Sequence, residues 1–170
     1  LDFEKLDELA SSMKEFMIDS TAITGGHIGA NLSSLEISIA LHKVFNSPND
    51  KFLFDVGHQA YAHKIITGRA SKFKDLNKYK GMARFVEQRE GPHDVTDVSH
   101  AGTSIPIATG FAKSFLDNGS DSHAVAIIGD GCIVEGMSFE GLNYGVQEKF
   151  PLVIVLIDNS WAIAPNVGGI

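Results

Sequence analysis

Two unbroken apolar runs restrict this chain more than any other feature: Ala124-Val125-Ala126-Ile127-Ile128 and Leu152-Val153-Ile154-Val155-Leu156-Ile157. A strand with one wet face alternates apolar and polar residues, whereas a strand covered on both faces reads as a continuous Val/Ile run, as in parallel sheets. Parallel neighbours need a crossover between them, and Glu135 to Gln147 has the length of one helix. The segment is therefore a strand-helix-strand unit, right-handed if the strands are parallel. The fold class expected is α/β, three-layered, with a mostly parallel sheet flanked by helices.

The rest of the chain supplies further elements. Leu6, Leu9, Ala10, Met13, Phe16 and Met17 recur at helical spacing behind an acidic first turn, which predicts an amphipathic helix over about residues 3–19. Leu32 to Phe45 is apolar on most sides and reads as one buried helix, with Ser33 and Glu36 spaced as a capping box. Lys51 to Phe54 is a short strand, and Asp55-Val56-Gly57-His58 runs straight into a helix through Ile66. Lys72 to Lys80 is a solvated surface helix or turn. Gly81 to His100 holds no period, and a loop of that length is usually functional or mobile. Ser104 to Leu116 reads as a helix whose small residues suit close packing.

Composition excludes some classes. With 14 Lys and Arg against 21 Asp and Glu, the formal charge is −7, which argues against a nucleic-acid binder. Cys132 is the only cysteine, so no internal disulfide forms. No apolar run approaches a membrane span, and no signal peptide is visible, so a cytoplasmic setting is expected. At 170 residues one domain, 1–170, is the simplest organisation. The missing initiator Met and the end at Ile170 point to a fragment or part of something longer.

In an open parallel sheet, ligands bind beyond the carboxyl ends of the strands. The first apolar run ends in Gly129-Asp130-Gly131 and the second in Asp158-Asn159-Ser160. Taken singly, the first is a turn and the second a loop. Taken together on neighbouring strands, Asp130 and Asn159 offer a carboxylate and an amide carbonyl, hard oxygen donors suited to magnesium or calcium.

Gly129-Asp130-Gly131 followed by Asn159 resembles the thiamine-diphosphate signature. Gly25-Gly26-His27 with Asn31-Leu32 and Glu36 resembles the 1-deoxy-D-xylulose-5-phosphate synthase family of the transketolase superfamily. The stretch Asp55-Val56-Gly57-His58-Gln59-Ala60-Tyr61-Ala62-His63-Lys64-Ile65-Ile66-Thr67-Gly68-Arg69 is close to that family's DVGHQAYPHKILTGR throughout, and Asn166-Val167-Gly168 matches its NVG. The resemblance covers nearly the whole chain but only the amino-terminal portion of the family's longer protein. It implies the diphosphate- and magnesium-binding domain of a thiamine-diphosphate enzyme that condenses pyruvate with glyceraldehyde 3-phosphate, with loss of carbon dioxide, toward isoprenoid and thiamine precursors. By resemblance the metal ligands are Asp130, Asn159 and the main-chain carbonyl of Trp161. Cofactor contacts fall to His58, His100, Gly102, Gly129, Asp130, Gly131, Cys132, Asn159 and Ala162. The catalytic histidines are His27, His58 and His100, since imidazole relays protons at neutral pH. His42 and His63 read as helix-face packing and His123 as a strand edge.

The sequence also departs from the family. Asp97-Val98-Ser99 replaces Gly-Ala-Gly, Ala101-Gly102 replaces a serine pair, Arg84 replaces a glycine and Gln88 an arginine. Cys132 to Gly136 is closer to transketolase. The resemblance further implies a pyrimidine-binding domain that this chain lacks, supplied by a missing carboxyl-terminal region or by a separate partner subunit, with a homodimer as the working form, so that this chain alone is inactive. The competing readings are the amino-terminal subunit of a split transketolase-like enzyme and a non-catalytic cofactor-binding remnant.

Overall fold

The computed structural model describes residues 2–97 and 99–159. In chain order its regular elements are α1 (Phe3–Thr24), α2 (Ile28–Ser33), α3 (Leu35–Val44), β1 (Lys51–Phe54), α4 (Tyr61–Lys64), α5 (Ser104–Asp117), β2 (Ala124–Gly129), α6 (Asp130–Ile133), α7 (Gly136–Glu148) and β3 (Leu152–Ile157). The three strands are all parallel, in the order β1-β2-β3, with Phe54 beside Ile127 and Gly129 beside Ile157.

β2 lies between the other two strands, and its first five residues are buried, as a doubly covered strand requires. Val125 and Ile127 point into a cluster with Leu41, Phe52, Phe54 and Val86, while Ala124, Ala126 and Ile128 point the other way toward Ile105, Ala108 and Ala112 of α5. The α/β layering expected from the sequence is thus present, with helices on both sheet faces. β3 departs from expectation: it is only partly buried, and Leu156 is 47% exposed. It lies at an edge of the sheet among the described residues, as does β1, but β1 is buried by the elements packed on it. A third cluster joins Met13 and Met17 of α1 to Leu35, Ile39, Tyr61, Phe73, Leu76 and Met82.

Several local expectations are corrected. α1 runs past residue 19 to Thr24, because the hydroxyls of Thr21 and Thr24 donate to the carbonyls of Met17 (2.7 Å) and Ser20 (2.9 Å) and are satisfied within the helix. The single helix expected over Leu32 to Phe45 is broken at Ser34, whose hydroxyl donates to the Gln59 carbonyl at 2.7 Å. No capping box forms, since Ser33 Oγ turns back to the Ala30 carbonyl. After β1 the chain does not pass straight into a helix. Val56 and Gly57 both have positive φ (59° and 87°), and α4 begins only at Tyr61. It then widens into a π turn over Ile65–Arg69 and a 3-10 turn over Ala70–Asp75. The segment expected to be solvated is anchored there by Phe73 and Leu76, each 1% exposed, while its lysines stay outside.

The long aperiodic loop is pinned by a buried ionic cluster. Lys64 Nζ donates to the carbonyls of Ala83 (2.8 Å) and Phe85 (2.7 Å) and pairs with Glu90 at 2.7 Å. Arg69 grips both oxygens of Asp94 at 2.7 and 2.8 Å. Asp94 also meets His63 Nε2 at 3.1 Å, and His63 Nδ1 lies 2.9 Å from His42 Nε2. Helix-face packing therefore understates His42 and His63, which form a polar chain ending on Asp94. Among the described residues, no helix is long and apolar enough to cross a membrane.

Candidate functional site

All three strands deliver an acidic residue at the same edge of the sheet. β1 ends on Asp55, β2 on Asp130 and β3 on Asp158 followed by Asn159. Because Gly129 is in register with Ile157, Asp130 and Asn159 leave adjacent strands side by side. Among the described residues no three His, Cys, Asp or Glu side chains converge on a common metal position. Trp161, Ala162 and Asn166-Val167-Gly168 lie outside the described residues.

His27 and His58 are brought together. Their ring centroids are 5.5 Å apart in an edge-to-face arrangement, and the Nδ1 atom of each is buried without a hydrogen-bond partner. His27 caps α2 at the end of a tight Gly25-Gly26 turn, and its N–H donates to the Tyr61 hydroxyl at 3.3 Å. Gly26 has φ 152°, and a Cβ there would fall 2.7 Å from the same hydroxyl, so only glycine lets the turn reach Tyr61.

One residue fixes both histidine loops. Asn31, fully buried, donates from Nδ2 to the carbonyls of His27 (2.8 Å) and His58 (2.7 Å) and accepts from the Tyr61 N–H at 2.7 Å. Burial lowers the His27 pKa, and the Arg84 guanidinium lowers it further. Burial and then His27 lower the pKa of His58, with the Asp55 carboxylate opposing. Both rings are therefore neutral at neutral pH, each keeping one N–H and one lone pair.

Asp55 joins the remaining loops. Its carboxylate, 1% exposed, accepts from the backbone N–H groups of Gly102 and Ser104, each at 2.9 Å. The Cys132 thiol faces the same carboxylate. Burial, then Asp55, Glu135 and Asp130, push its pKa up to about 12, so it stays a thiol. Gly102 has φ 79°, and a Cβ there would lie 2.5 Å from Glu135 Cβ, so this backbone is packed tightly against the segment after β2. His100 is exposed two residues before Gly102, its carbonyl accepting from Thr103 Oγ1 at 2.8 Å. Its loop is tied to Asp55, and no contact links its ring to His27 or His58 among the described residues. Ser104 Oγ and Gln59 Oε1 are also buried without partners.

Sequence reasoning gave Asp55 and Asn31 no role of their own. For Asp55 the signal was present, since the strand-end rule that singled out Asp130 applies equally to β1. Asn31 stands as a lone amide in an apolar stretch, and its three partners lie on segments that only the fold brings together.

A family model described as 1-deoxy-D-xylulose-5-phosphate synthase matches residues 1–170. The chain belongs to the 1-deoxy-D-xylulose-5-phosphate synthase family. It is 49% identical over 168 residues to the 1-deoxy-D-xylulose-5-phosphate synthase of Macrococcus caseolyticus, covering 99% of this chain and 27% of that protein. The corresponding synthase of Geobacillus sp. is 48% identical over 167 residues, 98% of this chain and 26% of the relative. That of Nocardia farcinica is 45% identical over 171 residues, with 100% and 27% covered. The chain thus spans about a quarter of the length of these synthases. The synthase-family match includes the His27, His58 and His100 loops and all three strand ends within one continuous stretch.

Proposed function

We propose that this chain is the diphosphate- and metal-binding domain of a thiamine-diphosphate-dependent synthase that joins pyruvate to glyceraldehyde 3-phosphate and releases carbon dioxide. The observation that carries this reading is the pair of part-buried, neutral imidazoles, each with a buried and unpartnered Nδ1, standing 5.5 Å apart in the same fold that gathers three strand ends.

The residues present suit the cofactor. Asp130 and Asn159 are oxygen donors of the kind magnesium takes, with phosphate oxygens and water completing its octahedron. At Gly129 the nearest atom to an added Cβ is a carbonyl at 4.0 Å, which leaves the backbone open to a diphosphate. In this reading Gly131 and Cys132 border the diphosphate, and the carbonyl of Trp161 and Ala162 complete the contacts. When bound, thiamine diphosphate supplies the carbon nucleophile and electron sink for decarboxylation and carbon–carbon bond formation.

The chain's own residues orient groups and move protons. His27 and His58, kept neutral by burial, accept a proton at one ring nitrogen and donate from the other. Asn31 keeps the two rings at a fixed separation, and Asp55 holds the loop of His100 against that of His58. In this reading the pyrimidine end of the cofactor falls to a pyrimidine-binding domain carried by a carboxyl-terminal region of a homodimeric protein or by a partner subunit.

Calorimetric titration of the full-length protein with thiamine diphosphate and Mg2+ tests the site. Asp130→Ala is expected to weaken binding by more than about 10–100-fold, the loss seen when only an outer-shell partner of a metal ligand is removed. Binding as tight as the parent's would remove Asp130 from the ligand set. Carbon dioxide release from pyruvate tests the reaction. Turnover of a sugar-phosphate donor without such release would favour the transketolase-like reading that the Cys132 to Gly136 segment suggests.

A further inference from the structure

Next to the His27 loop lies an open cavity of about 340 Å³ whose charged lining is entirely basic: Lys78, Arg84 and Arg89. In a chain of net charge −7, three cations around one cavity with no acidic side chain on its wall mark a place built for an anion. Two of the cations are already engaged. Lys78 pairs with Asp75 at 3.1 Å, and Arg89 pairs with Glu87. Arg84 forms no ion pair among the described residues; its one hydrogen bond there runs from Nε to the amide oxygen of Asn77, at 2.7 Å.

Arg84 is nonetheless held at both ends. The carbonyls on either side of it, those of Ala83 and Phe85, both accept from the buried Lys64 ammonium. Asn77, which takes the Nε proton, donates from its own amide to the carbonyls of Thr24 and Gly25, each at 3.2 Å. Those two residues begin the turn that presents His27. The guanidinium is thereby fastened to the same turn as the candidate catalytic histidine. The ring of Phe85, the next residue, packs 5.6 Å from that of His27. With Nε occupied by Asn77, the two terminal nitrogens remain as a planar fork, the geometry that grips a carboxylate or phosphate with two parallel hydrogen bonds. A side chain serving only to solubilise a loop needs neither anchor.

We propose that Arg84, pre-set by Asn77 and by the carbonyls that Lys64 holds, is a specificity residue that binds the oxyanion of a substrate whose reacting end lies at His27. The chemical class is a small molecule carrying a phosphomonoester or a carboxylate within one short carbon chain of its reactive carbonyl. The identity of that molecule rests on the function proposed above; the anion site itself does not.

The test is steady-state kinetics on the full-length protein loaded with thiamine diphosphate and Mg2+, comparing the parent with Arg84→Gln and Arg84→Lys. Loss of a charged bidentate contact predicts about a tenfold or greater rise in KM for the substrate that carries the anion in Arg84→Gln. Arg84→Lys recovers only part of it, because an ammonium cannot present the fork. A rise for glyceraldehyde 3-phosphate but not for unphosphorylated glyceraldehyde or pyruvate assigns the site to the phosphate. A rise for pyruvate alone assigns it to the carboxylate. Unchanged KM for all three overturns the proposal. If the parent shows no thiamine-dependent turnover, the functional reading fails, and the anion site is judged by NMR. Inorganic phosphate should then shift the His27 ring resonances of the parent and leave those of Arg84→Gln unmoved. No shift in the parent, or the same shift in both, sinks it.

Discussion

A single buried amide does more for the candidate site than either histidine does for itself. Asn31 ties together the carbonyls of His27 and His58 and the N–H of Tyr61, with every bond 2.8 Å or shorter. Alanine at this position leaves the His58 carbonyl and the Tyr61 N–H buried without partners, while the His27 carbonyl keeps the backbone N–H of residue 31, and each such orphan costs about 1–3 kcal/mol. Asn31→Ala is therefore expected to lower the unfolding free energy by about 3 kcal/mol in urea denaturation. A loss below about 1 kcal/mol would mean that water replaces the amide and that Asn31 does not hold the two histidine loops. The same residue shows where reading a sequence stops. An isolated asparagine in an apolar stretch is conspicuous, but its partners lie 4, 27 and 30 residues away, and nothing in the local pattern says which of them the fold will bring near.

Elements were legible where one physical period ruled them. The continuous apolar runs gave β2 and β3, and the span between them gave α7, although only β2 shows the burial on both faces that such a run implies. The break at Ser34 and the turn at Val56 were not legible. The first depends on a hydrogen bond to Gln59, and the second puts a β-branched residue at φ 59°, a conformation such residues rarely adopt. The small residues of α5 were expected to permit close packing, and one glycine on α5 and one on α7, which packs against it, test that with opposite signs. A Cβ at Gly141 would lie 2.7 Å from the backbone N of Pro106, whereas at Gly110 it would meet nothing within 4 Å. Gly110→Ala should stabilise the protein by about 0.5–1 kcal/mol through helix propensity alone. Gly141→Ala gains the same propensity but forces α5 and α7 apart, at about 1–3 kcal/mol for overpacking, and should be net destabilising. Thermal unfolding of the two variants separates the effects. A stabilised Gly141→Ala would show that the α5–α7 contact is not as close as the geometry gives.

At the scale of the whole molecule, a loop with no internal period becomes a wall of the site because buried charges replace the missing secondary structure. The cluster of His42, His63, Arg69, Glu90, Asp94 and Lys64 fastens residues 83–94 to the π turn after α4, and that wall carries Phe85 and Arg84 to His27. Such a cluster ties the fold to pH. Burial, then His63, His93 and Arg69, lower the His42 pKa to about 4, and burial likewise keeps His63 neutral although Asp94 opposes it. In the unfolded chain both titrate near 6.5, so between pH 6.5 and about 4 the unfolded state binds more protons, and stability falls as pH falls through that window. Asp94 acts lower down. Burial pushes its pKa up, but the hydrogen bonds from His63 and Arg69 outweigh that and hold it well below the ordinary 3.8. Its contribution is complete above that value and is lost as the pH drops further. Unfolding followed from pH 7.5 to 4 should thus show a progressive loss beginning near 6.5, with a shallower slope in His42→Gln, which removes one of the protons that drive it. The His42 ring, followed by NMR in the folded protein, should stay neutral until about pH 4. A His42 that titrates near 6.5 in the folded state, or a slope that His42→Gln leaves unchanged, would show that the chain from His42 through His63 to Asp94 does not bear on the stability of the wall.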